Sequence, residues 1–561
     1  MAYDLLVKNG TIVDGTGAPA YHGNIAAAGG RVVEVGDVNG LAHRVIDASG
    51  LIVSPGFIDP HTHYDAQICW DPMVTCSSWH GVTTVIMGNC GVGLAPCRPV
   101  AKEHEIAAKN LEHVEAIPYD VLEGGLTWDW QTFPEYIAAA QRRGCGINLG
   151  FLAALSPFRH WVMGEDAMGR AATEEETGQI RRLLSEAISA GALGFSLTVM
   201  RQHLGYQGQP LACRLASDDE LRAYADVLRE AGRGVIEIAL TRLPSTLSER
   251  EYELIKLLMD SSGRPVTWLN LRDSDEHPEA CMKTLEMAAP LIARGGRPQV
   301  AVRPLIIDFH LRNPFIFGML ECCKPLFSAE TVEEKKRIYS NPDFRAAFRT
   351  QFRRGSSQQK WWESVQVKEV SNPALEGMLW KSIAQVAQMR GQDPLDVFFD
   401  LPLEDDLKLV YLVPLLDINP ERVARKLSDP RTMIGISDGG AHVDMLCNAG
   451  YPTYLLGTFV RERQAVALEH AIKRITSEPA TFFGLRDRGR LAAGMAADIT
   501  IFDRDKVGCN ERPEIRDDLP RGGRRMVSRA EGIRHVIVNG KVLLEEGRHS
   551  GDLPGQALRP V

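Results

Sequence analysis

The sequence predicts an α/β fold, a TIM-type (β/α)8 barrel accompanied by a small β-rich domain. Two patterns indicate it: eight strand-like apolar segments alternate with helical stretches, and short strands surround an Asn-Gly pair at each chain end. Repeated βα units favour a parallel sheet, and eight of them favour a closed barrel. An open doubly wound sheet is the alternative, but no Gly-x-Gly-x-x-Gly motif follows the early strands, which weighs against a dinucleotide-binding fold.

Both ends of the chain predict β-hairpins, at Asn9-Gly10 and at Asn539-Gly540. The apolar segments that flank these pairs are residues 5–7, 12–13, 536–538 and 542–544. Asn-Gly between apolar runs is the strongest short hairpin signal, because both residues tolerate positive φ. We therefore expect residues 1–55 and 485–561 to form one β-rich domain beside a barrel of residues 56–484.

The strands predicted for the barrel share an apolar composition. In chain order they cover residues 52–59, 82–88, 146–152, 192–197, 234–240, 266–271, 299–307 and 432–437. Two intervening helices begin with capping boxes, Thr173 with Glu176 and Ser217 with Glu220. Apolar residues follow both boxes at helical spacing, and a further helix is predicted around residues 251–259.

Residues 329–405 interrupt the alternation of strands and helices. The segment is predicted to be helical, and it is charged and aromatic, with Arg353-Arg354 and Trp361-Trp362. It is too long for a simple connection. Two interpretations stay open: a helical insertion near the rim of the active site, or a surface for packing or oligomerisation.

The composition is that of an ordinary globular protein, with 44% apolar and 24% charged residues and a net charge of -9. A mildly acidic chain without long basic runs gives no electrostatic reason to bind nucleic acid or an anionic membrane. No apolar run reaches transmembrane length, and no secretory signal is visible. The 11 cysteines, an odd number, indicate reduced thiols rather than a disulfide framework. We expect a cytoplasmic protein with a small-molecule substrate, able to form a homo-oligomer.

Metal-binding residue types stand at the ends of the predicted strands. His61 and His63 follow the first strand, and residues i and i+2 of an extended segment share a face. Cys90 follows the second strand and Asp438 the last, at the end of the barrel where active sites lie. Imidazole, thiolate and carboxylate all bind zinc, and a carboxylate beside a metal can also take a proton from water. Taken singly, each has an ordinary alternative: a packed histidine, a buried thiol or a turn.

Several motifs together resemble the amidohydrolase superfamily. Residues 56–63, Gly-Phe-Ile-Asp-Pro-His-Thr-His, are similar to its first-strand signature. Residues 81–91 are similar to the D-aminoacylase (N-acyl-D-amino-acid deacylase) branch, whose metal-binding Cys corresponds to Cys90, and Ser437-Asp438-Gly439 resembles the last-strand motif. Further similar segments follow in the same order: residues 456–462, 475–480 and 494–499. The resemblance implies a barrel with a β-sandwich formed from both chain ends, and a divalent metal ion, zinc before others.

The sequence departs from this family pattern at three places. Leu240 stands where the family usually has a metal-binding His, and Asn270 stands where it usually has a second one. Residues 447–450 offer no match to the Arg that holds the substrate carboxylate. Leu cannot ligate a metal, and Asn is a poor ligand for zinc.

These departures imply one metal ion per chain rather than two. The remaining ligands are His61, His63 and Asp438, with Cys90 as an optional fourth. Glu237, inside a strand near the missing His, is a candidate rescue ligand, although a salt-bridged Glu is the simpler interpretation.

Four residues are predicted to contact the substrate: Asn270, Arg272, His310 and His442. Asn270 could hold the developing oxyanion, and Arg272 could replace the family's Lys on an anionic group. His310 is placed at the end of the predicted seventh strand and His442 in the loop after Asp438, with His203 as a weaker candidate of the same kind. A packed or loop histidine is the alternative for each.

The predicted function is metal-dependent hydrolysis of the amide-type C–N bond of a small acylated amine or N-acyl amino acid. A bound divalent ion would activate water, and Asp438 would act as the general base. Hydrolysis of a cyclic amide or lactone is the first alternative. A non-catalytic homologue that binds a small molecule, or a C–C lyase, is the further alternative.

Overall fold

A computed structural model describes residues 2–240, 246–269, 271–318, 320–352, 358–510 and 513–560. Strands from the first half of the chain are β1 (Tyr3–Ile12), β2 (Tyr21–Ala28), β3 (Arg31–Gly36), β4 (Ala42–Asp47), β5 (Ile52–Pro55), β6 (Phe57–Asp59), β7 (Val82–Met87), β8 (Asn148–Phe151), β9 (Ala153–Ala154), β10 (Gly194–Thr198), β11 (Val235–Ala239) and β12 (Val266–Trp268). Those that follow are β13 (Arg297–Val300), β14 (Leu305–Phe309), β15 (Gln366–Glu369), β16 (Val410–Leu416), β17 (Met433–Ile434), β18 (Ile499–Phe502), β19 (Gly508–Cys509), β20 (Glu514–Leu519), β21 (Gly523–Val527), β22 (Ala530–Glu531), β23 (Ile533–Val538), β24 (Lys541–Glu545) and β25 (Arg548–His549).

Helices occupy most of the connections between the middle strands. They are α1 (Ala101–Glu115), α2 (Tyr119–Gly125), α3 (Phe133–Arg143), α4 (Leu155–Met163), α5 (Glu174–Ala190), α6 (Asp218–Ala231), α7 (Glu249–Ser262), α8 (Ala280–Met287), α9 (Ala289–Ala293), α10 (Lys324–Ser328), α11 (Val332–Ser340), α12 (Pro342–Gln351), α13 (Gln358–Ser364), α14 (Ile383–Arg390), α15 (Pro394–Glu404), α16 (Pro420–Ser428), α17 (Tyr451–Tyr454), α18 (Leu468–Ile475) and α19 (Ser477–Phe482). Among the described residues, none of these helices is long and apolar enough to cross a membrane.

Parallel strands from the middle of the chain form two hydrogen-bonded groups. One has the order β6-β7-β8, and the other has the order β9-β10-β11-β12-β13-β17. Only Leu152 separates β8 from β9. Thr62, after β6, makes a parallel bridge to Gly439, after β17, and the His63 N–H donates to the Gly439 carbonyl at 2.7 Å. These elements confirm the α/β class; the closed barrel remains a prediction.

Two of the helices begin as the sequence predicts. Thr173 precedes α5 and Ser217 precedes α6, and each side chain accepts a hydrogen bond from the backbone N–H of the Glu three residues later. Those Glu side chains bond back to the capping residues, which satisfies N–H groups that a helix start leaves free. The buried faces of both helices, with Leu184 and Leu228 among them, join the main hydrophobic cluster with the parallel strands.

Strands from both ends of the chain share one sheet. Its order is β25-β24-β23-β18-β5-β1-β2-β3, with β4 also paired to β1. The two ends meet where β5 pairs antiparallel with β18, for example Val53 with Ile501. Both of these side chains lie in a separate, fully buried cluster of aliphatic residues.

The two Asn-Gly pairs behave differently. Asn539-Gly540 forms the predicted hairpin between β23 and β24, with φ of 48° and 79°. The prediction for Asn9-Gly10 is wrong: β1 continues through it, and the pair forms a bulge, with φ of 59° at Asn9. The first part of β1 pairs with β4 and its last residues pair with β5, so the bulge lets one strand change partners. A Cβ on Gly10 would lie 2.4 Å from a methyl carbon of Val53, which explains the glycine.

Two of the predicted barrel strands are each divided in the structure. The predicted strand 52–59 separates at Gly56 into β5, in the sheet of the chain ends, and β6, in the parallel group. The predicted strand 299–307 is wrong as a single element: β13 pairs with parallel neighbours, whereas β14 pairs antiparallel with β16. Pro304 lies between them and lacks the N–H that a continuous ladder needs. His310 therefore follows β14 and not the seventh parallel strand.

The segment predicted as a helical insertion contains α11 to α15, and it also contains β15, which pairs with β16. Its aromatic residues Phe348, Phe398 and Trp361 lie in a second hydrophobic cluster together with Phe317, which precedes the segment. This cluster shares no buried residue with the main one, and most of its members come from the chain between β14 and β16.

Candidate metal and active site

Three ligand-type side chains lie close together beyond the ends of β6 and β7. One ligand atom from each of His61, His63 and Cys90 lies within 4.8 Å of the others. His61 Nε2 is 3.5 Å from Cys90 Sγ, and the two imidazole centroids are 5.3 Å apart. All three side chains are buried. The spacing of His61 and His63 at i and i+2 explains why both point to one side of the chain.

Asp438, which follows the last parallel strand β17, lies beside the same group. Its Oδ1 is 3.5 Å from His61 Nε2 and 4.0 Å from His63 Nε2. Asp438 has φ of 49° and Cys90 has φ of 57°, a left-handed conformation that costs free energy for residues other than glycine. Such strained residues cluster where function requires a side chain in a fixed place.

Two buried glutamates stand beside this group. Glu115, the last residue of α1, places Oε1 3.3 Å from His63 Nδ1. Glu237, on β11, accepts a hydrogen bond from the Cys90 N–H at 2.7 Å through Oε2, and its Oε1 has no hydrogen-bond partner among the described residues. The salt bridge expected as the simple interpretation of Glu237 is not found there. Glu115 was not among the predicted site residues, because nothing in the sequence of a helix about fifty residues after His63 signals that contact.

Burial sets the protonation of the group. It raises the pKa of Asp438 to about 6, against the lowering effect of the Arg272 charge. It also lowers the pKa of His61 to about 3, with Arg272 acting in the same direction, and it raises the pKa of Glu237 to about 8. The imidazoles are therefore neutral near pH 7, with lone pairs free to bind a cation. A divalent cation fits here, because its charge would stabilise the ionised forms of these buried acids, and Glu237 Oε1 has no hydrogen-bond partner among the described residues.

The structure describes only some of the positions at which the sequence departs from the family pattern. Leu240 is fully buried in an apolar cluster, so its side chain adds packing and no ligand. Asn270 lies outside the described residues. Arg272 is buried, and its Nη1 lies 3.0 Å from Asp417 Oδ2; Lys426 also binds that carboxylate. The charge of Arg272 still reaches Asp438 and His61.

Of the other predicted histidines, His203 and His442 lie near enough to lower the pKa of His63, and His310 pairs with Asp444 instead. His442 packs against Phe315, with ring centroids 5.0 Å apart, and its N–H donates to the Glu115 carbonyl. Burial lowers the pKa of His442 to about 4 and that of His203 to about 3. His310 is half-buried, with Nε2 3.2 Å from Asp444 Oδ2.

A family model described as "Amidohydrolase family" matches residues 44–544, most of the chain. This chain belongs to the amidohydrolase family. It is a hydrolase acting on carbon–nitrogen bonds other than peptide bonds. The matched span includes the parallel strands, the ligand group and Asp438.

Known amidohydrolases resemble the chain over its whole length. D-aminoacylase from Alcaligenes xylosoxydans xylosoxydans is 27% identical over 565 residues, covering 99% of this chain and 97% of the relative. N-acyl-D-aspartate deacylase from the same organism is 28% identical over 568 residues, covering 99% and 95%. These relatives confirm the resemblance to the D-aminoacylase branch.

Solved amidohydrolase structures share the fold. N-acyl-D-glutamate deacylase from Bordetella bronchiseptica, crystallised with zinc and a phosphonate inhibitor that mimics the tetrahedral intermediate, has a TM-score of 0.65. It is 24% identical, and the comparison covers 100% of both chains. This chain therefore shares its arrangement of α and β elements with that structure over its whole length.

Proposed function

We propose that this amidohydrolase cleaves the amide-type C–N bond of a small acylated amine or N-acyl amino acid. The observation that carries the proposal is the buried group of His61, His63 and Cys90, with Asp438 3.5 Å from His61. The relatives' names, D-aminoacylase and N-acyl-D-aspartate deacylase, support the substrate class.

One divalent metal ion, zinc by preference, is proposed to bind His61, His63 and Asp438, with Cys90 as a fourth ligand. Neutral imidazoles, a thiol and a carboxylate are a donor set that zinc prefers. When bound, the ion would supply Lewis-acid polarisation of the scissile carbonyl and make water more acidic. Zinc in the deacylase from Bordetella bronchiseptica supports this choice.

The protein's own residues supply the proton transfers and the orientation. We propose that Asp438 takes a proton from the attacking water and returns it to the leaving nitrogen. Asp438 Oδ1 lies 3.5 Å from His61 Nε2, which would place the carboxylate beside the attacking water, where a general base is needed. Glu115 is proposed to accept a hydrogen bond from His63 Nδ1, which would leave the Nε2 lone pair directed at the ion.

The architecture behind this site is proposed to be a closed (β/α)8 barrel. The bridge from Thr62 to Gly439 joins the first and last parallel strands, and Leu152 alone separates the two hydrogen-bonded groups, which supports closure. We also propose the division into residues 1–55 with 485–561 as a β-sandwich domain and 56–484 as the barrel. The shared sheet of the two chain ends supports it.

A cytoplasmic location is proposed on separate grounds. All eleven cysteines are free thiols, which suits a reducing compartment. We propose a small molecule as the substrate, and the oligomeric state is left to measurement.

A cyclic amide or a lactone is the second candidate substrate class. The buried Arg272 is already compensated by Asp417, so its charge is less available to hold a substrate carboxylate. This observation favours a substrate without a carboxylate.

A substrate screen tests the proposal. N-acyl-D- and N-acyl-L-amino acids, cyclic amides and lactones are incubated with the zinc-loaded enzyme, with and without a chelator. We expect hydrolysis of at least one acylated amine, lost on chelation and restored by zinc. His61→Ala should be inactive, whereas His277→Ala, at an exposed histidine, should match the wild type. Turnover that survives metal removal, or no turnover in any class, would contradict the proposal.

A further inference from the structure

Two thiols outside the candidate active site lie next to each other. Cys76 Sγ and Cys447 Sγ are 3.7 Å apart. Cys76 is buried, and Cys447 is partly exposed. The first follows β6 along the chain and the second lies in the loop after β17, so the pair joins segments that are 371 residues apart in sequence.

The surroundings of Cys447 make it the more reactive thiol. Arg303 Nη1 donates a hydrogen bond to the Cys447 carbonyl at 3.2 Å. The neighbouring Cys76 thiol, together with the charge of Arg303, lowers the pKa of Cys447 against the opposing effect of burial. The thiolate is the nucleophilic form of cysteine. The lowered pKa gives Cys447 a larger thiolate fraction near pH 7 than an ordinary cysteine has.

We propose that Cys76 and Cys447 form a modification site at which hydrogen peroxide produces a disulfide. The two sulfurs must approach from 3.7 Å to a bond length of about 2.05 Å. This movement is small enough for side-chain rotation to supply it. Peroxide is the oxidant because it is small enough to reach a partly buried sulfur.

The reaction has two balanced steps. The Cys447 thiolate attacks one oxygen of hydrogen peroxide, the O–O bond breaks, and the products are a sulfenic acid and hydroxide. The Cys76 sulfur then attacks the sulfenic sulfur, the S–O bond breaks, and the departing hydroxide takes the Cys76 proton to form water. Two thiols are oxidised to one disulfide, and one peroxide is reduced to two waters.

The chain contains a matched pair for comparison. Cys322 Sγ and Cys323 Sγ are 3.9 Å apart, nearly the same separation. Burial raises the pKa of both thiols, and no guanidinium among the described residues acts on them. Because adjacent cysteines are poorly placed to form a disulfide with each other, this pair is a control for thiol oxidation and not for cross-linking.

Peptide mapping of the oxidised enzyme tests the proposal. The metal-loaded enzyme is treated with peroxide at pH 7, alkylated and digested, and the digest is analysed by mass spectrometry. We expect a cross-linked pair of peptides containing Cys76 and Cys447, with two fewer thiols per chain, reversed by dithiothreitol. The reaction should be at least about tenfold faster than any loss of Cys322 and Cys323, because burial lowers the thiolate fractions of those two residues.

Two variants are used, so that the proposal can still be tested if one of them folds poorly. In Cys76→Ser the sulfenic acid at Cys447 should persist and react with dimedone, whereas Cys447→Ser should show neither product; Cys322→Ser should behave as the wild type. A disulfide from Cys447 to any cysteine other than Cys76, equal oxidation of Cys322 and Cys323, or unmodified Cys447 after peroxide treatment would overturn the proposal.

Discussion

Asp438 combines burial, strain and proximity to two imidazoles in one side chain. Asp438→Asn keeps the size of the side chain and removes the basic carboxylate. We expect kcat to fall by about two to four orders of magnitude, the usual share of general base catalysis. Steady-state kinetics on the zinc-loaded variant measure this. A variant that retains zinc and turns over near the wild-type rate would remove Asp438 from the proton transfer and leave it to His310 or to the substrate.

Glu115 is the second residue whose role can be tested on its own. Glu115→Gln replaces the carboxyl group beside His63 Nδ1 with an amide of nearly the same shape. We expect zinc affinity to fall about 10- to 100-fold, as for other residues that orient a metal-binding histidine. Competition with a chromogenic chelator measures it, and Glu105→Gln, on the same helix, is the matched control. Equal affinity of the wild type and Glu115→Gln would exclude the orienting role.

The spacing of residues in the sequence predicts the ligand group of the candidate site, but it does not predict which residues contact and orient those ligands. His61, His63, Cys90 and Asp438 each follow a predicted strand, so their convergence could be expected from the fold. Glu115 reaches His63 from the end of a helix, a contact set by how α1 packs rather than by any pattern in its sequence.

At the scale of elements, the Asn-Gly dipeptide forms a bulge near one end of the chain and a hairpin turn near the other. Asn539-Gly540 joins two antiparallel neighbours, β23 and β24, whereas β1 continues through Asn9 and changes its parallel partner from β4 to β5. The capping boxes were predictable because their hydrogen bonds are local. The division of the predicted strand at residues 301–304 depends on partners more than a hundred residues later, although Pro304 is a local warning.

His80 links three elements and makes their contact sensitive to pH. Its Nδ1 is 2.7 Å from Thr453 Oγ1 on α17, and its Nε2 is 3.0 Å from the Ser528 carbonyl after β21. Burial lowers the pKa of His80 to about 4, so the folded protein binds this proton less readily than the unfolded chain. The stability that this group contributes is complete above about pH 6.5 and is lost as the pH falls towards 4.

The expected size of this effect is about 3 kcal/mol in the free energy of unfolding between pH 7 and pH 4. Urea unfolding of the wild type and His80→Gln at several pH values measures it. The variant should be less stable at pH 7 and should lose less stability on acidification. Parallel pH profiles for the two proteins would show that His80 does not carry the effect.

At the scale of the whole molecule, the chain end is part of the core. The Leu149 N–H donates to the Gln556 carbonyl at 2.9 Å, and the Leu558 N–H donates to the Leu149 carbonyl at 2.8 Å. Leu558 is buried with Ile58 and residues of other parallel strands. Leu558→Ala should lower the free energy of unfolding by about 2–4 kcal/mol. Leu553→Ala, at an exposed position, should cost under about 0.5 kcal/mol; equal effects in chemical denaturation would contradict this role.

The metal content of the purified enzyme tests the central claim most directly. The wild type and His61→Ala are loaded with zinc, dialysed against metal-free buffer and analysed for metals, with protein concentration measured in parallel. We expect one zinc per chain in the wild type and none in His61→Ala, because His61 is proposed as a ligand of the single site. Two tightly held ions per chain would contradict it and point to a second site rebuilt from Glu115 and Glu237. Zinc retained by His61→Ala would contradict the assignment of the ligands.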